Sequence, residues 1–171
     1  MFTSYRKTLL LHSCCAPCSS SVLERLTADC DVVLYYYNPN ITPALEYEKR
    51  LSEQRRLAET LGVRLIEGEY DSEAFADAAE NCEKCILLRL DKTAELAKAQ
   101  GFELFTTTLS VSPHKNAALI NKILTETGAK YDVEPLCEDF KKRDGYKRSV
   151  ELSKIYGLYR QNYCGCKVKT P

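Results

Sequence analysis

The sequence has no long hydrophobic run. The apolar stretch that follows the basic residues of the first segment, Leu9 to Leu11, is far too short for the core of a signal peptide or for a membrane span. Internal repeats, linkers and low-complexity tracts are also absent. We therefore expect a soluble protein of the cytoplasm without a membrane partner, and 171 residues with 44% hydrophobic content predict one compact domain, 1–171.

The sequence also has no net charge, yet its charge is unevenly distributed. Segment 141–171 holds nine basic residues against two acidic ones, a net charge of +7, which leaves −7 on the first 140 residues. The basic residues of this segment are Lys141, Lys142, Arg143, Lys147, Arg148, Lys154, Arg160, Lys167 and Lys169. Four tyrosines lie between them, a pattern that fits either a nucleic-acid surface or a solvated helix face.

Short apolar runs alternate with helical patterns along the chain, which is typical of a parallel sheet flanked by helices. We expect a serine cluster to cap the first helix, and Gly62, Gly101 and Gly128 to end later ones. The strands are predicted at Thr8–Ser13, Asp31–Tyr37, Val63–Glu67, Phe102–Leu109 and Tyr131–Leu136. The helices are predicted at Ser19–Ala28, Leu45–Leu61, Ser72–Ala79, Glu83–Gln100, Asn116–Thr127 and Tyr146–Tyr156.

Nine cysteines are many for this length, and in a reducing cytosol they favour metal binding or catalysis over structural disulfides. Seven of them fall into three groups: Cys14, Cys15 and Cys18; Cys82 and Cys85; Cys164 and Cys166. The first group directly follows the first strand, at the edge of a parallel sheet where ligands bind. Cys30 and Cys137 stand alone and fit small core residues.

The pairs Cys14-Cys15 and Cys82-Cys85 supply four thiolates, the ligand set of a 4Fe-4S cluster. A zinc site with four cysteines is the alternative. Cys18 is a further thiol beside this set, either an inert core residue or the ligand of an adjacent iron.

Cys164-Gly165-Cys166 can close a disulfide only in a small strained ring, and strained disulfides are easily reduced. This spacing fits electron relay, a further pair of metal ligands or an exposed tail. His12, on the first strand, is expected to be a buried, hydrogen-bonded side chain, and Asp71 to cap the helix that follows it. His114 either lines the site or ends a strand.

Four segments resemble the QueH family of epoxyqueuosine reductases, and together they cover nearly the whole chain. They are His12-Ser13-Cys14-Cys15-Ala16-Pro17-Cys18, Tyr37-Asn38-Pro39-Asn40-Ile41, Cys82-Glu83-Lys84-Cys85, and Leu158-Tyr159-Arg160-Gln161-Asn162-Tyr163-Cys164-Gly165-Cys166. The resemblance implies a three-layer α/β/α fold with a doubly wound parallel sheet, similar to the adenine-nucleotide α-hydrolases (HUP-like).

The resemblance also implies a reaction: removal of the epoxide oxygen from epoxyqueuosine at the wobble position (34) of tRNA, without cobalamin and with electrons from an unidentified donor. By the same resemblance Cys14, Cys15, Cys82 and Cys85 bind a 4Fe-4S cluster, Cys18 binds an additional adjacent iron, and Cys164 and Cys166 form a redox-active disulfide. Tyr159, Arg160 and Tyr163 are candidates for contacts to the anticodon loop, and Tyr35 to Tyr37 for base stacking.

Two other functions compete with this interpretation. One is a zinc-stabilised RNA-binding module without catalysis. The other is an ATP-dependent tRNA sulfur transferase, which would need a glycine-containing phosphate loop where this chain has cysteines.

Overall fold

The structure, a computed structural model, describes residues 4–166. Five strands and six α-helices alternate along these residues, as the sequence pattern predicts. In chain order they are β1 (Lys7–His12), α1 (Ala16–Leu26), β2 (Cys30–Tyr36), α2 (Ala44–Leu61), β3 (Arg64–Glu67), α3 (Ser72–Ala76), α4 (Cys82–Gln100), β4 (Leu104–Thr107), α5 (Ala117–Tyr131), β5 (Glu134–Pro135) and α6 (Gly145–Ile155). One turn of 3₁₀ helix, Leu109–Val111, follows β4.

The strands form one parallel sheet in the order β3-β2-β1-β4-β5. From β1 the chain first builds outwards to β2 and β3, and it then returns to place β4 on the other side of β1. The strand order therefore reverses between β1 and β4, and in open α/β sheets a crevice for ligands forms at the carboxyl ends of such strands.

Side chains from both faces of the sheet are buried in separate cores. On β1, Leu10 packs into the core beneath α4 and α5, whereas Leu9 and Leu11 pack into the core beneath α1, α2 and α6. Alternate residues of a strand point to opposite faces, so a strand that is apolar throughout fits only between two helical layers. The predicted three-layer α/β/α fold is confirmed.

Three of the predicted helix boundaries are wrong. Helix α3 ends at Ala76 and not at Ala79. Helix α1 begins at Ala16 with Pro17 in its first turn, and the serines predicted to cap it are buried within the helix. Helix α5 continues past Gly128 to Tyr131, because that glycine is a packing position: a Cβ there would lie 2.7 Å from the carbonyl oxygen of Val133. Gly62 and Gly101 end α2 and α4 in the left-handed conformation, as predicted.

Within residues 4–166, no helix combines the length and the apolar character needed to cross a membrane.

Candidate metal and redox centre

The loop after β1 lies at the point where the strand order reverses. The backbone of Thr108, just after β4, donates a hydrogen bond to the carbonyl of His12 at 2.9 Å. The Thr108 hydroxyl accepts a hydrogen bond from the amide of Cys14 at 3.1 Å and lies 3.2 Å from the Cys14 sulfur, to which it donates. The carboxyl end of β4 thus fixes Cys14 at the sheet edge.

Three sulfur atoms meet in this loop. The Sγ atoms of Cys14, Cys15 and Cys18 all lie within 4.8 Å of one another, and those of Cys14 and Cys15 are 3.8 Å apart. The neighbouring thiols of Cys15 and Cys18 hold the pKa of Cys14 well below its usual range. Hydrogen bonding to the Cys14 sulfur raises the pKa of Cys15 to about 12 and also raises the pKa of Cys18.

This arrangement favours a cation. One of the three sulfurs carries negative charge most readily, while the other two keep their protons as long as only thiols surround them. A metal ion that replaces those protons would offset most of the charge of the three thiolates, and thiolate donors suit iron-sulfur clusters and zinc.

A network of buried hydrogen bonds holds the cysteine loop in place. The Ser13 hydroxyl donates to the side-chain carbonyl of Gln54 and lies 2.6 Å from the Ser19 hydroxyl, which donates to the carbonyl of Cys15 at 2.7 Å. His12 is fully buried between the Thr107 hydroxyl and the Tyr37 carbonyl, both at 2.9 Å, as predicted. Burial, assisted by the nearby Arg89 cation, lowers the pKa of His12 to about 4, so the imidazole is neutral at physiological pH.

A second group of cysteines lines a cavity at the start of α4. Cys82 is exposed in the first turn, which is capped by Asn81, and Cys85 is buried one turn later. The C-terminal cysteines Cys164 and Cys166 line the same cavity, and Cys166 packs against the apolar cluster that contains Cys85.

The two C-terminal thiols lie in contact with each other. Their sulfurs are 3.3 Å apart, and both cysteines are unpaired thiols. Burial raises the pKa of Cys164, but hydrogen bonds from Cys166 and the cations of Lys115 and Arg89 outweigh it, so the pKa lies below the usual value. Burial and the Cys164 contact raise the pKa of Cys166 to about 11. Such a difference gives one attacking thiolate and one thiol that keeps its proton.

Helix α2 and the loop before it hold this C-terminal segment in place. Arg50, only 2% exposed, donates to the carbonyls of Tyr163 (3.0 Å) and Cys164 (3.3 Å) and pairs with Glu46 at 2.8 Å. The amide of Thr42 donates to the carbonyl of Gly165 at 2.9 Å. These bonds dock segment 163–166 beside Cys82 and Cys85.

Comparison with known proteins places the chain in one family. The family model described as "Epoxyqueuosine reductase QueH" matches residues 9–170. The chain belongs to the QueH family. Relatives named epoxyqueuosine reductase QueH occur in Staphylococcus aureus (40% identical, covering 94% of this chain and 75% of the relative) and in Thermotoga maritima (37% identical, covering 93% and 88%). The QueH protein of Haemophilus influenzae is 38% identical, covering 92% of this chain and 69% of its own.

A solved structure of the same fold is similar over most of the chain. It is the U34-tRNA thiolase NcsA from Methanococcus maripaludis with its [4Fe-4S] cluster, with a TM-score of 0.61 and 10% sequence identity. The similarity covers 96% of this chain and 62% of the thiolase. It confirms the predicted HUP-like fold of this QueH chain.

The structure groups the predicted site cysteines differently from the predicted ligand set. It brings Cys14 and Cys15 together with Cys18, and it brings Cys82 and Cys85 together with the C-terminal pair. Within residues 4–166, no other group of three or more candidate ligands is as tight as the one around Cys14. The assignment of Cys14, Cys15, Cys82 and Cys85 to one cluster stays a prediction.

Most of the side chains predicted to contact tRNA are hydrogen-bonded or buried within the protein. The Tyr159 hydroxyl donates to Glu46 at 3.1 Å, and the Tyr163 hydroxyl donates to the carbonyl of Thr42 at 2.9 Å. Tyr35 to Tyr37 are buried, so base stacking on them is unsupported. Arg160 is exposed and retains donors for a ligand. Lys167 and Lys169 of the predicted basic segment lie outside the described residues.

Two buried residues of the site were not singled out in the sequence. Arg50 holds the C-terminal segment, and Arg89 lines the second cysteine cavity. Only Arg89 had a local signal: it lies four residues after Cys85 in the same helix and therefore on the same face.

Proposed function

We propose that this QueH chain reduces the epoxide of epoxyqueuosine at the wobble position of tRNA, giving queuosine, the last step in making that nucleoside. The family match over residues 9–170 carries the proposal. The gathering of seven cysteines into two groups near the carboxyl edge of the sheet supports it, because reduction of an epoxide requires a source of electrons.

The proposed cofactor is a 4Fe-4S cluster bound by Cys14, Cys15, Cys82 and Cys85, with Cys18 as ligand of an additional iron. The donor set fits this group, since thiolates are the usual ligands of such clusters, and two of the four, Cys14 and Cys15, lie with Cys18 in a group whose sulfurs are within 4.8 Å of one another. The cluster would supply single electrons. Cobalamin has no part in the proposed reaction.

Cys164 and Cys166 are proposed to act as a dithiol–disulfide pair. Oxidation of the dithiol forms the S–S bond and releases two electrons and two protons. Conversion of the epoxide to an alkene takes up two electrons and two protons and releases the oxygen as water, so the two half-reactions balance. The 3.3 Å sulfur contact and the lowered pKa of Cys164 support this role. An unidentified cellular donor would then reduce the disulfide.

The proposed partner is tRNA that carries epoxyqueuosine in its anticodon loop, and the proposed location is the cytoplasm, with no membrane partner. The whole chain, 1–171, would act as one catalytic domain whose basic segment 141–171 approaches the RNA. Arg160 is the best placed of the three predicted contact residues, because the hydroxyls of Tyr159 and Tyr163 are already bonded within the protein.

Anaerobic incubation with a chemical reductant and epoxyqueuosine-bearing tRNA tests the function, with the released nucleosides analysed by mass. We expect loss of one oxygen without added ATP or cobalamin. Cys164→Ser should slow turnover and keep the iron, and Cys137→Ser, which removes an exposed cysteine away from both groups, serves as the matched control. No oxygen loss by an iron-replete wild type would contradict the proposal, and activity only with zinc or with ATP would favour one of the two competing functions.

A further inference from the structure

Arg89 is a buried cation without a carboxylate partner. Its side chain belongs to a residue that is 4% exposed, and its only hydrogen bond among residues 4–166 is from Nε to the carbonyl of Cys85, at 3.4 Å. None of the salt bridges in the described part of the chain includes it. A guanidinium has five N–H donors, and buried charges are normally paired, so residues 4–166 leave most of this donor capacity available to a ligand.

The guanidinium faces the cavity that holds the second cysteine group. Arg89 and Lys115 both line this cavity together with Cys164, and both cations lower the pKa of the Cys164 thiol. Glu80 is the one carboxylate among the lining residues, and it lies beyond ion-pair distance of either cation. Two cations, neither of them paired with Glu80, therefore line the cavity beside the C-terminal sulfurs.

A third polar group in the cavity lacks a hydrogen-bond donor. Asn40 is buried, lines the cavity, and its Oδ1 atom lacks a hydrogen-bond partner within the described residues. The interior of the cavity has room for about one water molecule, so a ligand that meets these groups lies at its mouth. Such a ligand must offer anionic oxygens to Arg89 and Lys115 and a hydrogen-bond donor to Asn40. A ribonucleotide unit offers both, because its phosphate is anionic and its 2′-hydroxyl donates.

We propose that Arg89 and Lys115 form a phosphate subsite that holds the RNA backbone next to the reacting nucleotide. This inference rests on the proposed function, since it assigns part of the tRNA contact to the cavity of Cys82, Cys85, Cys164 and Cys166. Arg89 supplies a planar, permanently charged donor from within the cavity. Lys115 supplies a second charge from a partly buried position.

A competing explanation is that Arg89 only offsets the charge of nearby thiolates. That role would affect the cysteines and the iron they hold, but not the dependence of RNA binding on salt. A phosphate contact has the opposite signature, because each lost contact lowers the steepness of the salt dependence by about one counterion.

The test measures binding of a tRNA anticodon stem-loop by the anaerobically purified holoprotein across a salt series. Arg89→Gln and Lys115→Gln are compared with the wild type, and iron per chain is determined for each. Lys98→Gln is the matched control: it removes a charge from the same helix as Arg89, but near the opposite end. Arg89→Lys tests whether charge alone rescues binding.

We expect Arg89→Gln to bind about tenfold more weakly, and each of Arg89→Gln and Lys115→Gln to lower the salt slope by about one, with iron content retained. Lys98→Gln should match the wild type, and Arg89→Lys should recover the slope. Wild-type slopes in both glutamine variants would overturn the inference, as would an equal loss in Lys98→Gln. If Arg89→Gln lost its iron, the slope of Lys115→Gln alone would decide.

Failure of this subsite and failure of the proposed function are distinguishable. A wild type that binds the stem-loop with the expected variant effects, yet leaves epoxyqueuosine intact, would refute the function and keep the subsite. A wild type that reduces epoxyqueuosine, with variants of unchanged KM and salt slope, would refute the subsite alone.

Discussion

Replacement of Arg50 by methionine tests how the C-terminal cysteines are held in place. Methionine keeps the length and apolar character of the buried stem but removes the guanidinium. The carbonyls of Tyr163 and Cys164 then lose two charged donors, at 3.0 and 3.3 Å. Glu46 keeps the hydrogen bond from the Tyr159 hydroxyl, so its carboxylate is not left without a partner.

The expected loss of docking free energy follows from these two hydrogen bonds. A hydrogen bond from a charged donor contributes about 1.5 to 3 kcal/mol, and the longer of the two bonds favours the lower end of that range. Removing both should weaken local docking of the segment by about 3 kcal/mol, or about a hundredfold in its equilibrium constant. The loss should be local, because the bonds join α2 to the end of the chain and not to the sheet.

Amide hydrogen exchange at Thr42 measures this docking directly, since that amide donates to the carbonyl of Gly165. We expect exchange about a hundredfold faster in Arg50→Met. Arg55→Met is the control, because it removes a half-exposed ion pair with Glu67 from the same helix and should change exchange by less than about fivefold. Unchanged Thr42 exchange in Arg50→Met, or an equal effect of Arg55→Met, would refute the reasoning.

Three further perturbations test separate contacts. Gly165→Ala should weaken docking of the same segment by about 1 to 3 kcal/mol in the exchange assay, because φ is +117° and a Cβ would lie 2.9 Å from a side-chain carbon of Ile41. Gly157→Ala also has a positive φ, +62°, but its Cβ would meet nothing within 4 Å, so Thr42 exchange should change less; equal effects would contradict this. Folding lowers the pKa of buried His12 from 6.5 to about 4, so its contribution to stability is complete above pH 6.5 and is lost as the pH falls towards 4. The free energy of unfolding, measured with denaturant, should therefore fall by about 2 kcal/mol between pH 7 and pH 5, and His12→Gln should lack this fall. An equal fall in both proteins would exclude His12 as its source. Arg160→Gln should lower the salt slope of stem-loop binding by about one, and an unchanged slope would remove Arg160 from the RNA surface.

Local signals in the sequence were enough to predict most of the fold. Gly62 and Gly101 end helices where the apolar pattern stops, and both adopt the left-handed conformation. Gly128 looks the same in the sequence, but it serves close packing against the carbonyl of Val133. Only the tertiary structure distinguishes these two uses of glycine, so the end of α5 could not be predicted from the local sequence.

The candidate site was predictable in its residue types but not in its grouping. The spacing of Cys14 and Cys15, and of Cys82 and Cys85, identifies thiolate pairs, and nothing local indicates that Cys164 approaches Cys82. That approach depends on Arg50, which bonds to a carbonyl 114 residues away. Contacts over such separations arise from packing of the whole domain and leave no periodic pattern.

Iron and sulfide content of the anaerobically purified protein, measured together with its electron paramagnetic resonance after reduction, tests the central claim most directly. We predict about four iron atoms and four sulfides per chain, with any additional iron above that number. Replacing any of Cys14, Cys15, Cys82 or Cys85 by serine should abolish the cluster signal. Cys30→Ser should keep the cluster. Full retention in the Cys82 and Cys85 variants would contradict the four-cysteine cluster and leave the three sulfurs after β1 as a separate metal site.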